Sequence, residues 1–394
     1  MKILFLSPWF PFPPDNGIKT RLYHLIRCLS QQHEITLLSF VRADERIIPE
    51  GLTNFCRSIK TIPWHAYSAT HWRAIAGFFS PTPRAIACSY SQAMVQAVRE
   101  TDSHMAYDVV IASTTDTAAY AGLSRARVRV LEEHNFMTGW MQDNYHLQPN
   151  LLKRARHWLT FWKYRNYETR LYRSFNVITM VSEDDAQAAR SLLSNVPPIY
   201  VVPNGVDIQY FEPNGFHPQP YTLVFNGSLS YSANLEAMRF FCQTIFPRIQ
   251  TAIPHVQLAI TGNADPRIID EFAHSGVHLT GFLDDIRPTI SSSWACVTPL
   301  LHGRGTRLKI LQAMALGTPV ISTRKGAEGL NVRDGEHILI SDDPAEFARR
   351  TIALLNDGKL RAHLASNARQ LVTRLYDWNT LGARFENVLK ENAD

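Results

Sequence analysis

The chain has 394 residues, of which 45% are hydrophobic and 19% charged, with a formal net charge of +5. That length suits two domains of ordinary size, and the composition excludes a disordered or low-complexity chain. The mild positive charge fits anionic small molecules or an anionic membrane surface, is too weak for a nucleic-acid binder, and no zinc-site spacing appears among five scattered cysteines that read as reduced thiols.

The opening MKILFLSPWFPFPP reads as a buried strand over residues 3–7 and a proline-rich loop rather than a signal peptide, because its apolar run is short and lacks a small-residue cleavage site. Further short apolar runs at 34–40, 109–113, 128–132, 177–181 and 200–202 predict strands, with helices at 19–31 and 91–99 between them. Continuous apolar strands alternating with helices predict a parallel sheet covered on both faces. The turn-rich segment 202–220 marks a linker. A second alternation follows, with strands at 221–226, 256–261, 277–280, 296–299, 319–322 and 337–340, and helices at 233–248, 268–274, 285–291, 308–316 and 344–357. The tail over 364–391 is helical. No run approaches the ~20 apolar residues of a membrane span.

The most informative stretch is LLHGRGTRLKILQAMALGTPVIST, residues 300–323: a strand end, a glycine-rich loop, a helix, a turn and a strand. Gly303 and Gly305 permit close backbone approach, while Arg304, Arg307 and Lys309 bring three cations to the loop and the helix start. Basic side chains there oppose the helix dipole, and a bound diphosphate offsets that conflict. The pairs Asp184-Asp185, Asp284-Asp285 and Asp342-Asp343 sit at predicted helix starts and read as caps rather than metal ligands.

Residues 153–173 interleave Lys153, Arg154, Arg156, Lys163, Arg165, Arg170 and Arg173 with Trp158, Trp162 and other aromatics, opposed by Glu168 alone. Such a helix either packs on its domain with solvated cations or lies on an anionic membrane. The loop 62–83, with Trp64, Trp72, Phe78 and Phe79, either walls an acceptor site, touches lipid or joins a core.

In chain order, PPDNGIKTR, EEHN at 132–135, VSEDD, VPNGVD, FNGSLSYSAN, TG at 261–262, GFLDDIRP and the GRGTRLKIL loop make the chain resemble the retaining glycosyltransferases of family 4, in its surface-polysaccharide subgroup. The resemblance implies the GT-B fold: two Rossmann-like parallel-sheet domains facing across a cleft. Residues 1–205 form the acceptor-side domain, 206–372 the donor domain, and 373–394 a helix packing back on the first. It implies a nucleoside-diphosphate sugar as donor and a saccharide or lipid-linked saccharide as acceptor. Cofactor and metal are absent from the expected chemistry, and the location is cytoplasmic, at the inner face of the membrane where a lipid-linked acceptor is used.

By the same resemblance His134, Arg307 and Lys309 are catalytic. Gly17, Asn226, Gly227, Ser228, Gly262, Phe282, Leu283, Arg304, Gly305, Thr306 and Gln312 hold the donor. Lys19, Arg21, Trp158, Trp162 and Lys163 face the acceptor or membrane. Glu132 and Glu133 either orient His134 or end a strand as solvated charge. Arg304 and Gln312 stand where many members carry glutamates. That departure keeps two rival expectations open: a nucleotide-sugar epimerase on the same fold, and a non-catalytic sugar-nucleotide binding protein.

Overall fold

The computed structural model describes residues 1–43, 45, 47–213, 215, 218–303 and 307–393, with Leu147 as backbone alone. Two compact units divide it: residues 1–203 with 381–394, and residues 204–380.

The first unit is built on seven parallel strands in the order β3-β2-β1-β4-β5-β6-β7. These are β1 (Lys2–Ser7), β2 (Glu34–Val41), β3 (Ser58–Pro63), β4 (Val109–Ser113), β5 (Val128–Glu133), β6 (Val177–Met180) and β7 (Ile199–Val201). Consecutive residues Ile3, Leu4, Phe5 and Leu6 are all buried, as a strand covered on both faces requires. Its helices are α1 (Gly17–Leu29), α2 (Trp72–Ala76), α3 (Arg84–Ser89), α4 (Gln92–His104), α5 (Thr115–Ala121), α6 (Met137–Leu147), α7 (Leu151–Tyr172) and α8 (Glu183–Leu192). Asn16 caps α1 by accepting from the backbone N–H groups of Ile18 and Lys19. β3 escapes the sequence pattern because it is an edge strand whose residues are mostly exposed or half-buried, with Lys60 and Thr61 inside it.

The second unit carries six parallel strands in the order β10-β9-β8-β11-β12-β13. They are β8 (Gln219–Asn226), β9 (Gln257–Thr261), β10 (Val277–Gly281), β11 (Ser293–Thr298), β12 (Val320–Ser322) and β13 (Leu339–Ile340). The helix expected over 233–248 is divided into α9 (Ser232–Phe240), a π turn (Phe241–Ile245) and α10 (Phe246–Ala252). Pro247 has no N–H to continue the ladder, and the π turn absorbs the mismatch. The segment expected as a helix at 268–274 is a 3₁₀ turn over Pro266–Phe272. Then come α11 (Arg287–Ser292), α12 (Leu308–Ala315), α13 (Pro344–Asn356) and α14 (Gly358–Leu375). The expected single tail helix is broken: α15 (Trp378–Ala393) starts anew after Tyr376, whose carbonyl accepts from Val206 N–H at 2.8 Å. In the first unit α15 lies tight on α1, since a Cβ on Gly382 would sit 2.4 Å from that of Cys28.

The acidic pairs act at helix starts. Asp343 caps α13 through Glu346 N–H, Asp285 accepts from Arg287 N–H at 2.9 Å, and Ser182 rather than an aspartate caps α8. Among the described residues no group of three or more His, Cys, Asp or Glu forms a metal cage, and no helix is long and apolar enough to cross a membrane.

Candidate functional site

In an open parallel sheet the loops that leave the carboxyl ends of the strands collect along one edge, and ligands bind there. Each unit gathers its candidate residues at that edge.

In the second unit the β8–α9 turn brings Asn226, Gly227 and Ser228 against the start of α12. Lys309 donates from Nζ to Asn234 Oδ1 at 2.7 Å and lies 3.9 Å from the ring centre of Phe225. A Cβ on Gly227 would stand 2.7 Å from that ammonium, so glycine is what lets the lysine lie against the turn. Lys309 keeps some exposed surface, yet burial among protein atoms pushes its pKa down to about 7, with Arg307 adding like charge. Asn226 donates to Lys309 O at 3.2 Å and to Gln312 Oε1 at 3.1 Å, so Gln312 is tied to the same turn. Asn234 in turn donates to Ser228 O at 2.7 Å.

Arg307 stands at the N-cap position of α12 without a side-chain capping bond, and it is buried. It donates to Gly303 O at 2.8 Å and to Lys325 O at 3.4 Å, and Glu328 stands 4.0 Å away. Burial lowers its pKa and Glu328 opposes that. Gly262 has φ +90, and its missing Cβ leaves room for the backbone of Ser228, which a methyl group would meet at 2.7 Å. Ser228 Oγ donates to Asn263 O at 2.7 Å, lacing the β8 and β9 loops together. Phe282 is exposed and Leu283 half-buried in the loop after β10. The expected donor residues Arg304, Gly305 and Thr306 lie outside the described residues.

In the first unit a buried network surrounds Glu132 at the end of β5. Arg21 Nε donates to Glu132 Oε1 at 2.5 Å. Ser113 Oγ, at the end of β4, donates to Glu132 Oε2 at 2.6 Å, and His134 Nε2 lies 2.6 Å from the same oxygen. Burial by itself would raise the Glu132 carboxyl, but His134 and Arg21 with their hydrogen bonds outweigh it and hold it well below the usual carboxylate range. Glu132 therefore orients the imidazole. Glu133 points the other way, accepting from Thr115 N–H and Oγ1, and burial together with Glu168 raises it well above its ordinary value.

The structure places several of the expected acceptor-side residues inside the first unit, paired with other groups of the protein. Arg21 is buried and spent on Glu132 and on Pro203 O, 3.0 Å away. Lys19 is buried and paired with Glu45 at 3.0 Å and Asp15 at 3.6 Å. Lys163 is buried too, donating to Gly77 O at 2.9 Å and Phe78 O at 2.8 Å, so it clamps a loop instead of facing a ligand. Trp158 and Trp162 are exposed on α7. Gly17 is the first residue of α1 rather than part of the preceding loop.

Sequence reasoning missed Ser113, Asn234 and Glu328. Ser113 ends a predicted strand and Asn234 closes the FNGSLSYSAN motif, so the carboxyl-edge rule would have found both. Glu328 had no local signal. Arg42, whose guanidinium lies 3.4 Å from the ring centre of Trp9, was also unmarked.

Known proteins are similar to this chain in sequence and in fold. The model of glycosyltransferase family 4 matches residues 15–210, and that of the glycosyl transferases group 1 matches residues 220–357. A 44.6 kDa protein of the cps region of Klebsiella pneumoniae is 20% identical over 99% of this chain and 100% of its own length. The phosphatidyl-myo-inositol mannosyltransferase of Mycobacterium tuberculosis is 28% identical over 48% of this chain, and the match spans about half, 52%, of that relative. Anabaena HepE, solved with UDP and glucose, superposes with a TM-score of 0.69 at 16% identity, covering 99% of this chain and 100% of that one. The sucrose-phosphate synthase of Thermosynechococcus elongatus superposes with a TM-score of 0.72 at 17% identity, covering 99% of both chains. Two Rossmann-like parallel-sheet units of this kind are those of the GT-B fold. The chain belongs to glycosyltransferase family 4.

Proposed function

We propose that this glycosyltransferase moves a hexose-type sugar, with retention of anomeric configuration and without a metal, from a nucleoside-diphosphate sugar to a saccharide or lipid-linked saccharide of a surface polysaccharide. The single observation that carries the donor half is the Lys309 ammonium packed beside Gly227, with Arg307 two residues earlier at the start of the same helix. Two cations at a helix start, with glycine turns around them, suit the two charges of a diphosphate leaving group. Charge on that group grows as its bond to the sugar breaks, so cations placed there act most strongly in the transition state. The acceptor oxygen bonds to the anomeric carbon as the carbon–diphosphate bond breaks on the same face. The hydroxyl proton passes to the departing phosphate oxygen.

The names of the relatives support this reading: a phosphatidyl-myo-inositol mannosyltransferase, a protein of a cps region, and a structure holding UDP and glucose. On the first unit, α7 and the α2 segment expose Trp158, Trp162, Leu151, Leu152, Trp72 and Phe79 among cations, which suits peripheral contact with an anionic inner membrane where a lipid-linked acceptor resides.

Thermal stabilisation by a panel of nucleotide sugars, with and without chelator, selects the donor. Transfer to saccharide acceptors is then followed for the wild type and for Arg307→Ala with Lys309→Ala. Loss of transfer in the double variant is expected. Unchanged transfer refutes the leaving-group role, epimerisation without acceptor reassigns the reaction, and binding without turnover on any acceptor makes the chain a sugar-nucleotide binding protein.

A further inference from the structure

We propose that Glu132 is a positioning residue that fixes the tautomer of His134, so that the imidazole offers Nδ1 as a hydrogen-bond acceptor to a saccharide hydroxyl. The inference rests on the reading of the chain as a saccharide-transferring enzyme and specifies how its histidine works.

The argument is one of donor and acceptor inventory. Arg21 cannot give up its proton and donates from Nε to Glu132 Oε1 at 2.5 Å. Both residues are buried, so the carboxyl must answer that charge as a carboxylate. An ionised carboxylate only accepts. Its second oxygen, Oε2, faces Ser113 Oγ at 2.6 Å and His134 Nε2 at 2.6 Å. Both contacts are hydrogen bonds only if the serine hydroxyl and Nε2 carry the protons. Ser113 Oγ then has lone pairs left for Nε2–H, 3.1 Å away. No arrangement with a bare Nε2 satisfies this cluster, because two lone pairs would confront each other at 2.6 Å.

A neutral imidazole carries one proton, and here it sits on Nε2. Nδ1 is left with a lone pair, and it makes no hydrogen bond among the described residues. A hydroxyl of the saccharide can donate to it. The three supports come from separate elements, Arg21 on α1, Ser113 at the end of β4 and Glu132 at the end of β5, so the ring is held from the sheet and not by its own loop. Histidines whose far nitrogen is fixed in this way have their chemistry set by the partner as much as by the ring.

The test replaces Glu132 by its amide. In Glu132→Gln, Arg21 still needs an acceptor, so the amide oxygen turns to Arg21 and the NH₂ turns to His134. Nε2 must then accept, and the proton moves to Nδ1. The imidazole nitrogens are read by ¹⁵N NMR on the full chain labelled at histidine, without substrate, at a pH where the ring is neutral. The wild type is expected to show the Nε2–H tautomer, and Glu132→Gln the Nδ1–H tautomer. Ser113→Ala is expected to keep Nε2–H, because the carboxylate still accepts. Transfer by Glu132→Gln, with a donor and acceptor shown to work in the wild type, is expected to fall about tenfold to a hundredfold in kcat with little change in KM for the donor, the scale of one hydrogen bond turned from acceptor to donor.

A wild type in the Nδ1–H form overturns the proposal, as does a folded Glu132→Gln that keeps Nε2–H. A tautomer that flips with transfer unchanged overturns its functional half. Should Glu132→Gln not fold, the wild-type tautomer and Ser113→Ala still decide the first half. Absence of transfer by the wild type refutes the proposed function while leaving the tautomer result standing, so the two failures are separable.

Discussion

Glu132 and Glu133 are consecutive in β5, both buried, and their carboxyls are pushed in opposite directions. Successive side chains of a strand point to opposite faces. Glu132 meets Arg21, Ser113 and His134, whereas Glu133 meets Thr115 and the charge of Glu168. Glu168, on α7, accepts from Thr138 N–H at 2.9 Å and Oγ1 at 2.5 Å, and burial raises it to about 7.

The Glu133–Glu168 pair gives stability a sign with pH. Glu168 titrates near 4.5 when exposed and at about 7 when folded, so between these values the folded chain holds a proton that the unfolded chain has released. Stability therefore falls as pH rises through that window, by up to about 3 kcal/mol. Glu132 acts oppositely: its stabilisation is present above the ordinary carboxylate range and is lost as pH falls well below it. Denaturant midpoints of the wild type are expected to drop between about pH 5 and about pH 7.5, and Glu168→Gln to make that drop shallower, the remainder belonging to Glu133. An unchanged slope in Glu168→Gln contradicts the assignment.

Lys309 gives donor binding a pH dependence of its own. With its pKa pushed down to about 7 in the free protein, the ammonium is partly deprotonated at neutral pH. A bound diphosphate restores the charge, so binding above that pH takes up a proton. Affinity for the nucleotide sugar, whose diphosphate ester does not titrate there, is expected to weaken by up to about tenfold per pH unit above about 7. Calorimetry in buffers of different ionisation enthalpy measures the proton directly. In Lys309→Met, the proton uptake should vanish along with most of the affinity.

Two glycines at the same edge separate binding from folding. An added Cβ at Gly227 would meet the flexible tip of Lys309 at 2.7 Å, whereas at Gly262 it would meet the backbone of Ser228 at 2.7 Å with φ at +90. Gly227→Ala is expected to cost under about 1 kcal/mol of stability, since the lysine tip can move, and to weaken nucleotide-sugar binding at least tenfold by displacing that ammonium. Gly262→Ala has no such escape and is expected to destabilise by about 1–3 kcal/mol. Equal melting temperatures for the two variants would contradict this division.

The strands that set the sheets were legible because both faces of a parallel sheet must be apolar, and Ile3 to Leu6 or Val109 to Ala112 say so without context. The basic start of α12 was legible too, since Arg307 and Lys309 follow Gly303 closely in sequence. What escaped were features made by distance along the chain. Lys19, Arg21 and Lys163 look alike as surface cations, and their burial depends on partners as remote as Glu132 and the carbonyls of Gly77 and Phe78. Ser113 and Glu132 meet because β4 and β5 are adjacent in register, which pairs these two residues. No local pattern encodes that neighbour.

The clamp at Lys163 bears on the membrane proposal. Lys163 ties α7 to the carbonyls that follow α2, and next to that tie Phe79 is 93% exposed. At the amino end of α7, Leu151 and Leu152 are 77% and 85% exposed beside Lys153, Arg154 and Arg156, while the helix's acid, Glu168, is buried. Apolar tips flanked by cations suit insertion into an anionic interface, and each basic residue near such a surface adds about 1 kcal/mol. The wild type is expected to sediment with phosphatidylglycerol vesicles and not with phosphatidylcholine vesicles, and to release as salt rises. Leu151→Ser with Leu152→Ser, or Phe79→Ser alone, should weaken binding several-fold while leaving thermal stability unchanged, because these side chains bury little in the fold. Lys163→Met should act differently: it frees the loop, so amide exchange over residues 77–79 accelerates whether or not vesicles are present. Absence of binding to anionic vesicles by the intact chain would refute the membrane reading, and the exchange result would then stand as a property of the fold alone.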